Sequence, residues 1–199
     1  MNELVILHFV CVCVHFQMPI VIVGGVTATG KTSVAKELSA LLHWDYIEAD
    51  DFHSKANIAK MQAGNPLTDD DRLPWLQILH EQLANYSSTH RSCVMTCSAL
   101  KRRYRQILLT GACDSDAKVE TPAATECFLF MLTVSRDELH QRLLKRQHEH
   151  FMNPSLLDSQ LDTLELPANE SDEPCCRIIQ CDGLSQEDVL HRIRSVLHL

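Results

Sequence analysis

Short β-branched apolar runs alternate with longer stretches of helical period along this chain. Ile20 to Val23 is the first such run; it ends at Gly24-Gly25 and reads as a strand buried on both faces. Thr32 to Leu42 follows as a helix, with Val34, Leu38, Leu41 and Leu42 on one face. Tyr46-Ile47 predicts a second strand, and Asp71 to Tyr86 a helix with Trp75, Ile78, Leu79 and Leu83 turned inward. Cys93 to Cys97 reads as strand and Ala99 to Leu109 as helix, while Gly111 to Thr125, rich in Ala, Thr and Asp, predicts an exposed loop. Phe128 to Val134, Arg136 to Arg146, Arg177 to Gln180 and Gln186 to Leu197 then continue as strand, amphipathic helix, strand and helix. Strands alternating with helices predict an α/β fold, a parallel sheet with helices on both faces, whose ligands lie at the carboxyl ends of the strands. Most of the polar motifs stand immediately after a predicted strand.

Composition narrows the chemistry. A length of 199 residues predicts one domain. With 26 acidic against 18 basic residues and a net charge of -8, the chain lacks the clustered basic residues of a nucleic-acid binder, so a small-molecule partner is expected. Nine Cys at irregular spacing, without a CxxC pair, argue for reduced thiols and a cytoplasmic location. Eleven His include His148 and His150 close together, but no HExxH or Cys/His finger spacing is present. Leu4 to Phe16 is apolar but is interrupted by His8 and His15 and lacks a basic front end. It fits poorly both a membrane helix of roughly 20 apolar residues and a signal peptide, with a weak signal-like segment as the alternative reading. Residues 1–18 are therefore expected to be a non-essential extension ahead of a domain spanning 19–199, with Met18 as an alternative initiator.

The sharpest motif is Gly25-Val26-Thr27-Ala28-Thr29-Gly30-Lys31-Thr32, a GxxxxGK[ST] sequence placed between a strand and a helix. Its backbone N–H groups converge on phosphates, Lys31 reaches the β and γ oxygens of ATP, and Thr32 ligates Mg²⁺. A glycine-rich turn with a surface lysine is the plain alternative, and a nucleotide-binding module without turnover another. After the second strand comes Glu48-Ala49-Asp50-Asp51-Phe52-His53. Asp50 is the candidate to orient an attacking hydroxyl and take its proton, and Glu48 the candidate to hold a water on Mg²⁺. An acidic turn that only caps the next helix is the competing account.

Pro66 to Trp75 places Asp69, Asp70, Asp71 and Arg72 just ahead of a helix. The aspartates read as helix caps, whereas Arg72 is suited to gripping a substrate carboxylate with two parallel hydrogen bonds. After the third strand, Ser98 and Lys101 are singled out from the basic run Lys101 to Arg105.

Together these blocks resemble the gluconokinase family, small P-loop kinases that phosphorylate D-gluconate at its 6-hydroxyl. The resemblance rests on Gly25 to Thr32, Asp50-Asp51-Phe52-His53, Asn57 to Met61, Pro66 to Trp75, Cys97 to Tyr104, and His150-Phe151-Met152 followed by Ser159-Gln160 and Leu164-Glu165. It implies a three-layer, nucleoside-monophosphate-kinase-like P-loop fold with a five-stranded parallel sheet and a mobile lid over about 147–166. It also implies ATP and Mg²⁺ as cofactors, D-gluconate as acceptor, a product that enters the pentose phosphate pathway, and a homodimer. His53 would then hydrogen-bond the polyol, and Arg142 and Arg146, one turn apart, would grip ATP phosphates. The chain departs from the family pattern at Ala28 and Glu149, where Gly is usual, and at Leu161, where Phe is expected. A kinase resembling shikimate kinase and an inactive nucleotide-binding regulator are the competing functions.

Overall fold

The structure is a computed structural model and describes residues 19–112, 127–146, 154–167 and 173–199. The expected extension over 1–18, most of the predicted loop after Gly111 and the first part of the expected lid lie outside the described residues.

Five strands, β1 (Ile20–Gly24), β2 (Asp45–Glu48), β3 (Cys93–Thr96), β4 (Cys127–Thr133) and β5 (Cys176–Gln180), form one sheet in the order β2-β3-β1-β4-β5. Every pairing is parallel. The helices are α1 (Lys31–Leu42), α2 (Lys55–Gln62), α3 (Asp69–Ser88), α4 (Arg102–Thr110), α5 (Arg136–Arg146), α6 (Pro154–Thr163) and α7 (Gln186–Leu197), with a single 3₁₀ turn over Ala49–Phe52.

Because successive side chains of a strand point to opposite faces, β1 feeds two cores. Val21 and Val23 join Val34 and Leu38 of α1, Leu139 of α5 and Ile193 of α7. Ile20 and Ile22 join Trp75, Leu79 and Leu83 of α3 and Ile107 and Leu108 of α4. The central strand β1 is buried along its whole length, whereas the edge strands β2 and β5 are buried only in part. Two helix faces differ from the expectation. Leu41 is 51% exposed and Ile78 39% exposed, and their inward places are taken by Ala35 and by Leu76. A helix buries a stripe, and one residue of register decides which apolar side chain falls outside it.

Helix α3 starts two residues earlier than the pattern predicts, because Thr68 and Asp71 close a capping box around its first turn. Pro74 sits inside this helix, where it removes one backbone donor without ending it. One further tie has no local signal in the chain. Arg105, 1% exposed, sends Nε and Nη2 to the two carboxylate oxygens of Glu173 at 2.6 and 2.7 Å. Its Nη1 donates to the carbonyls of Ala99, Leu100 and Glu165. The guanidinium therefore fastens the turn after β3, the segment after α6 and the entry to β5 to one another.

Candidate active site

The chain leaves β1 through Gly25, whose φ of 132° lies outside the range comfortable for side chains; a Cβ there would stand 2.5 Å from the Leu132 carbonyl oxygen. Gly30 caps α1 in a left-handed conformation, so the first amides of α1 open toward the loop. Ala28, one of the departures from the family pattern, takes up φ 62° and is 5% exposed, so the loop keeps its turn with an alanine where glycine would be relaxed. Thr29 Oγ1 and Lys31 Nζ both donate to the Val26 carbonyl at 2.8 Å.

The carboxyl ends of β1, β2 and β3 meet in a cleft of about 640 Å³. That volume is within the range of small-molecule sites. Its wall includes Lys31, Thr32, Glu48, Asp50, His53, Arg72, Ser98 and Lys101, which brings the sequence-predicted acceptor residues together with Lys31 and Thr32 of the phosphate loop. Thr32 Oγ1 donates to Glu48 Oε2 at 3.2 Å, and Tyr46 and Thr96 hydroxyls hold the same carboxylate. Tyr46 and Glu48 are two apart on β2 and share a face, a spacing from which this brace was readable.

Asp50 stands on the 3₁₀ turn; Ser54, not the acidic run, caps α2. The Asp50 side chain keeps 75% of its accessible surface and stands on the cleft wall. The surrounding protein raises its carboxyl above the ordinary range; the Glu48 charge adds to this, and Lys31 opposes it. His53 stacks on Trp75 with ring centroids 4.2 Å apart, and the Trp75 indole N–H is tied to the Ala49 carbonyl at 2.8 Å. Burial, and then the Arg72 charge, push His53 down to about 4, so it faces the cleft as a neutral ring. Its Nε2 is 3.9 Å from Asp50 Oδ1, beyond hydrogen-bond reach.

The two cations of the acceptor side differ. Lys101 Nζ is paired with both oxygens of Asp69 at 2.8 and 2.9 Å, and Tyr104 donates to the same carboxylate. Lys101 therefore enters the cleft already neutralised. The Arg72 guanidinium lies 5.7 Å over the Tyr104 ring, makes no ion pair among the described residues and leaves its buried Nε unpaired. Arg142 reaches the phosphate loop, but there it donates to the Ala28 and Thr29 carbonyls while bonded to Glu138. Arg146 ends α5, and its side chain lies outside the described residues. Among the cysteines, Cys97 lies at the cleft, and burial pushes its thiol up to about 12, away from nucleophilic or ligand chemistry near neutrality.

Sequence reasoning read Asp69 only as a helix cap and assigned no role to Tyr104 or Gln160. Gln160 Oε1 accepts the Thr27 amide of the phosphate loop at 2.7 Å. Its partner is 133 residues away, so no local pattern could have linked the two.

Known proteins resemble the chain in sequence and in fold. A family model described as "AAA domain" matches residues 20–167. The chain is 42% identical over 169 residues to the gluconokinase of Gluconobacter oxydans, covering 85% of each chain. It is 41% identical over 152 residues to a probable gluconokinase of Xenopus tropicalis, covering 75% of this chain and 80% of that one. The crystal structure of a gluconokinase from Sinorhizobium meliloti superposes with a TM-score of 0.70 at 31% identity, over 92% of this chain and 97% of the other.

Proposed function

We propose a function from the premise that the chain belongs to the gluconokinase family of P-loop kinases: it transfers the γ-phosphoryl group of ATP to the 6-hydroxyl of D-gluconate, giving ADP and 6-phospho-D-gluconate. The observation that carries the reading is the cleft shared by the phosphate loop, the Asp50 carboxylate and the Arg72 guanidinium, which has no ion-pair partner among the described residues.

Phosphoryl transfer asks the protein mainly for positioning and charge stabilisation. In this cleft Asp50 accepts the proton of the 6-hydroxyl and aims its oxygen at the γ-phosphorus. Arg72 grips the carboxylate at the other end of the sugar acid, and the fixed distance between the two groups selects the terminal hydroxyl. His53, neutral and held against Trp75, exchanges hydrogen bonds with the polyol, and Ser98 lies beside it on the same wall. Lys31 exchanges its contact with the Val26 carbonyl for the β and γ oxygens when ATP binds. The donor set of Thr32 and Glu48, all oxygen and held together, fits Mg²⁺ with Glu48 acting through a water; when bound, the ion neutralises the β- and γ-phosphate charge.

Two measurements test this reading. ADP release from ATP with Mg²⁺ is expected with D-gluconate and not with shikimate, glucose or no acceptor. Release with another acceptor would keep the kinase and overturn the substrate, whereas nucleotide binding without release would make the chain a regulator. In Arg72→Met, kcat/KM for gluconate is expected to fall about 10- to 100-fold, the worth of charge-assisted hydrogen bonds, with nucleotide affinity unchanged. Equal loss of nucleotide affinity would place Arg72 at the phosphates instead.

A further inference from the structure

The contact between Gln160 and the phosphate loop lies outside the roles assigned above. Helix α6 is seated on the sheet by Leu157, fully buried, with Leu161 packed against the same core. The chain after α6 is pinned as well, through the Glu165 amide to the Leu100 carbonyl at 2.9 Å and the Glu165 carboxylate to the Arg102 amide at 2.9 Å. Held at both places, α6 delivers the Gln160 carboxamide to the Thr27 N–H, with Ser159 and Thr163 beside it on the cleft wall.

A carboxamide oxygen offers a backbone amide what a phosphate oxygen offers, a partly negative acceptor with two lone pairs. A backbone N–H makes one well-aligned bond at a time, so Gln160 and a phosphate oxygen compete for the same donor. The competition is intramolecular, and its effective concentration is set by how firmly α6 is held.

We propose that Gln160 is a phosphate surrogate built into the P-loop, which occupies the Thr27 amide until nucleotide arrives and thereby sets how tightly nucleotide binds. When ATP enters, the amide passes from the carboxamide to a phosphate oxygen, and the Gln160 side chain is freed into the cleft beside Ser159 and Thr163. The tether is one neutral hydrogen bond, enough to tune affinity without blocking the site. This inference rests on the kinase reading only in that the loop receives nucleotide phosphates.

The test is calorimetric titration of the full chain with a non-hydrolysable ATP analogue and Mg²⁺, comparing wild type, Gln160→Met and Gln160→Glu. Gln160→Met keeps the length of the side chain and removes its strong acceptor, so binding is expected to tighten about three- to tenfold, the worth of one neutral hydrogen bond. Gln160→Glu retains the acceptor and adds a charge that repels phosphate, so binding is expected to weaken by at least as much. Opposite signs in the two variants are the signature of competition. Weaker binding in both variants would make Gln160 a ligand or a packing element and overturn the proposal, as would unchanged binding in Gln160→Met. Failure of the wild type itself to bind the analogue would remove the kinase reading, and this inference with it.

Discussion

Asp50→Asn is expected to lower kcat with gluconate by about 10²- to 10⁴-fold while leaving nucleotide affinity near wild type, because the amide keeps the shape of the carboxylate and loses its capacity to take a proton. The geometry behind this is the position of Asp50 at the carboxyl end of β2, with the phosphate loop and Arg72 on the walls of the same cleft. The raised pKa of Asp50 adds a pH dependence. The ionised form is the one that accepts a proton, so wild-type turnover should fall on acidification at a pH above that of an ordinary carboxylate. Stability should move the other way. A carboxyl whose folded pKa is raised contributes stability at low pH that is lost as pH rises through the folded value. At neutral pH the Asp50 charge is therefore a small burden on the fold, and Asp50→Asn should melt slightly above wild type. Single-turnover kinetics and a melting curve on the same preparation decide the matter. Wild-type turnover in Asp50→Asn would move the proton acceptor elsewhere.

Arg105→Ala should destabilise the fold by about 3–5 kcal/mol, because it strands the buried Glu173 carboxylate in addition to removing the contacts of the guanidinium. For a chain of this length the melting temperature would drop by roughly 2–4 °C for each of those kilocalories. Replacing both partners, Arg105→Met with Glu173→Leu, should cost clearly less than Arg105→Ala, since no charge is then left unpaired. Chemical denaturation of the single and double variants measures the difference. A double variant as unstable as Arg105→Ala would mean that the carbonyl contacts to Ala99, Leu100 and Glu165, and not the ion pair, hold this corner.

The elements whose signal is local were legible in the sequence. The five parallel strands, the phosphate loop and the helices α5 and α7 follow from apolar period and from motif context, and α7 also carries a capping box at Ser185 and Asp188. Where several registers satisfy a helical stripe, the pattern alone picked wrongly, as at Leu41 and Ile78. The residue types of the acceptor side were readable too, because motifs that follow parallel strands converge at one sheet edge. Their charge state was not. Lys101 and Arg72 look alike on paper, and only the fold reveals that Asp69 takes up the first and leaves the second without an ion pair among the described residues. Asp69 itself reads as a helix cap, a role that its place in the first turn of α3 also fills. The Gln160 and Glu173 contacts cross most of the chain and leave no trace in local spacing.

The sheet order separates two kinds of work. The phosphate-handling groups come from the turn after the central strand β1 and from α1, while Asp50, His53 and Arg72 come from the stretch 48–72, which hangs from the edge strand β2. An edge strand and the segment after it can diverge while the central strand and its loop stay put. For a lineage of such enzymes this is a partial division of heritable parts, in which most of the acceptor side can be rewritten within one peripheral stretch, while Glu48 at its start and Ser98 beyond β3 tie it to the inherited ATP machinery.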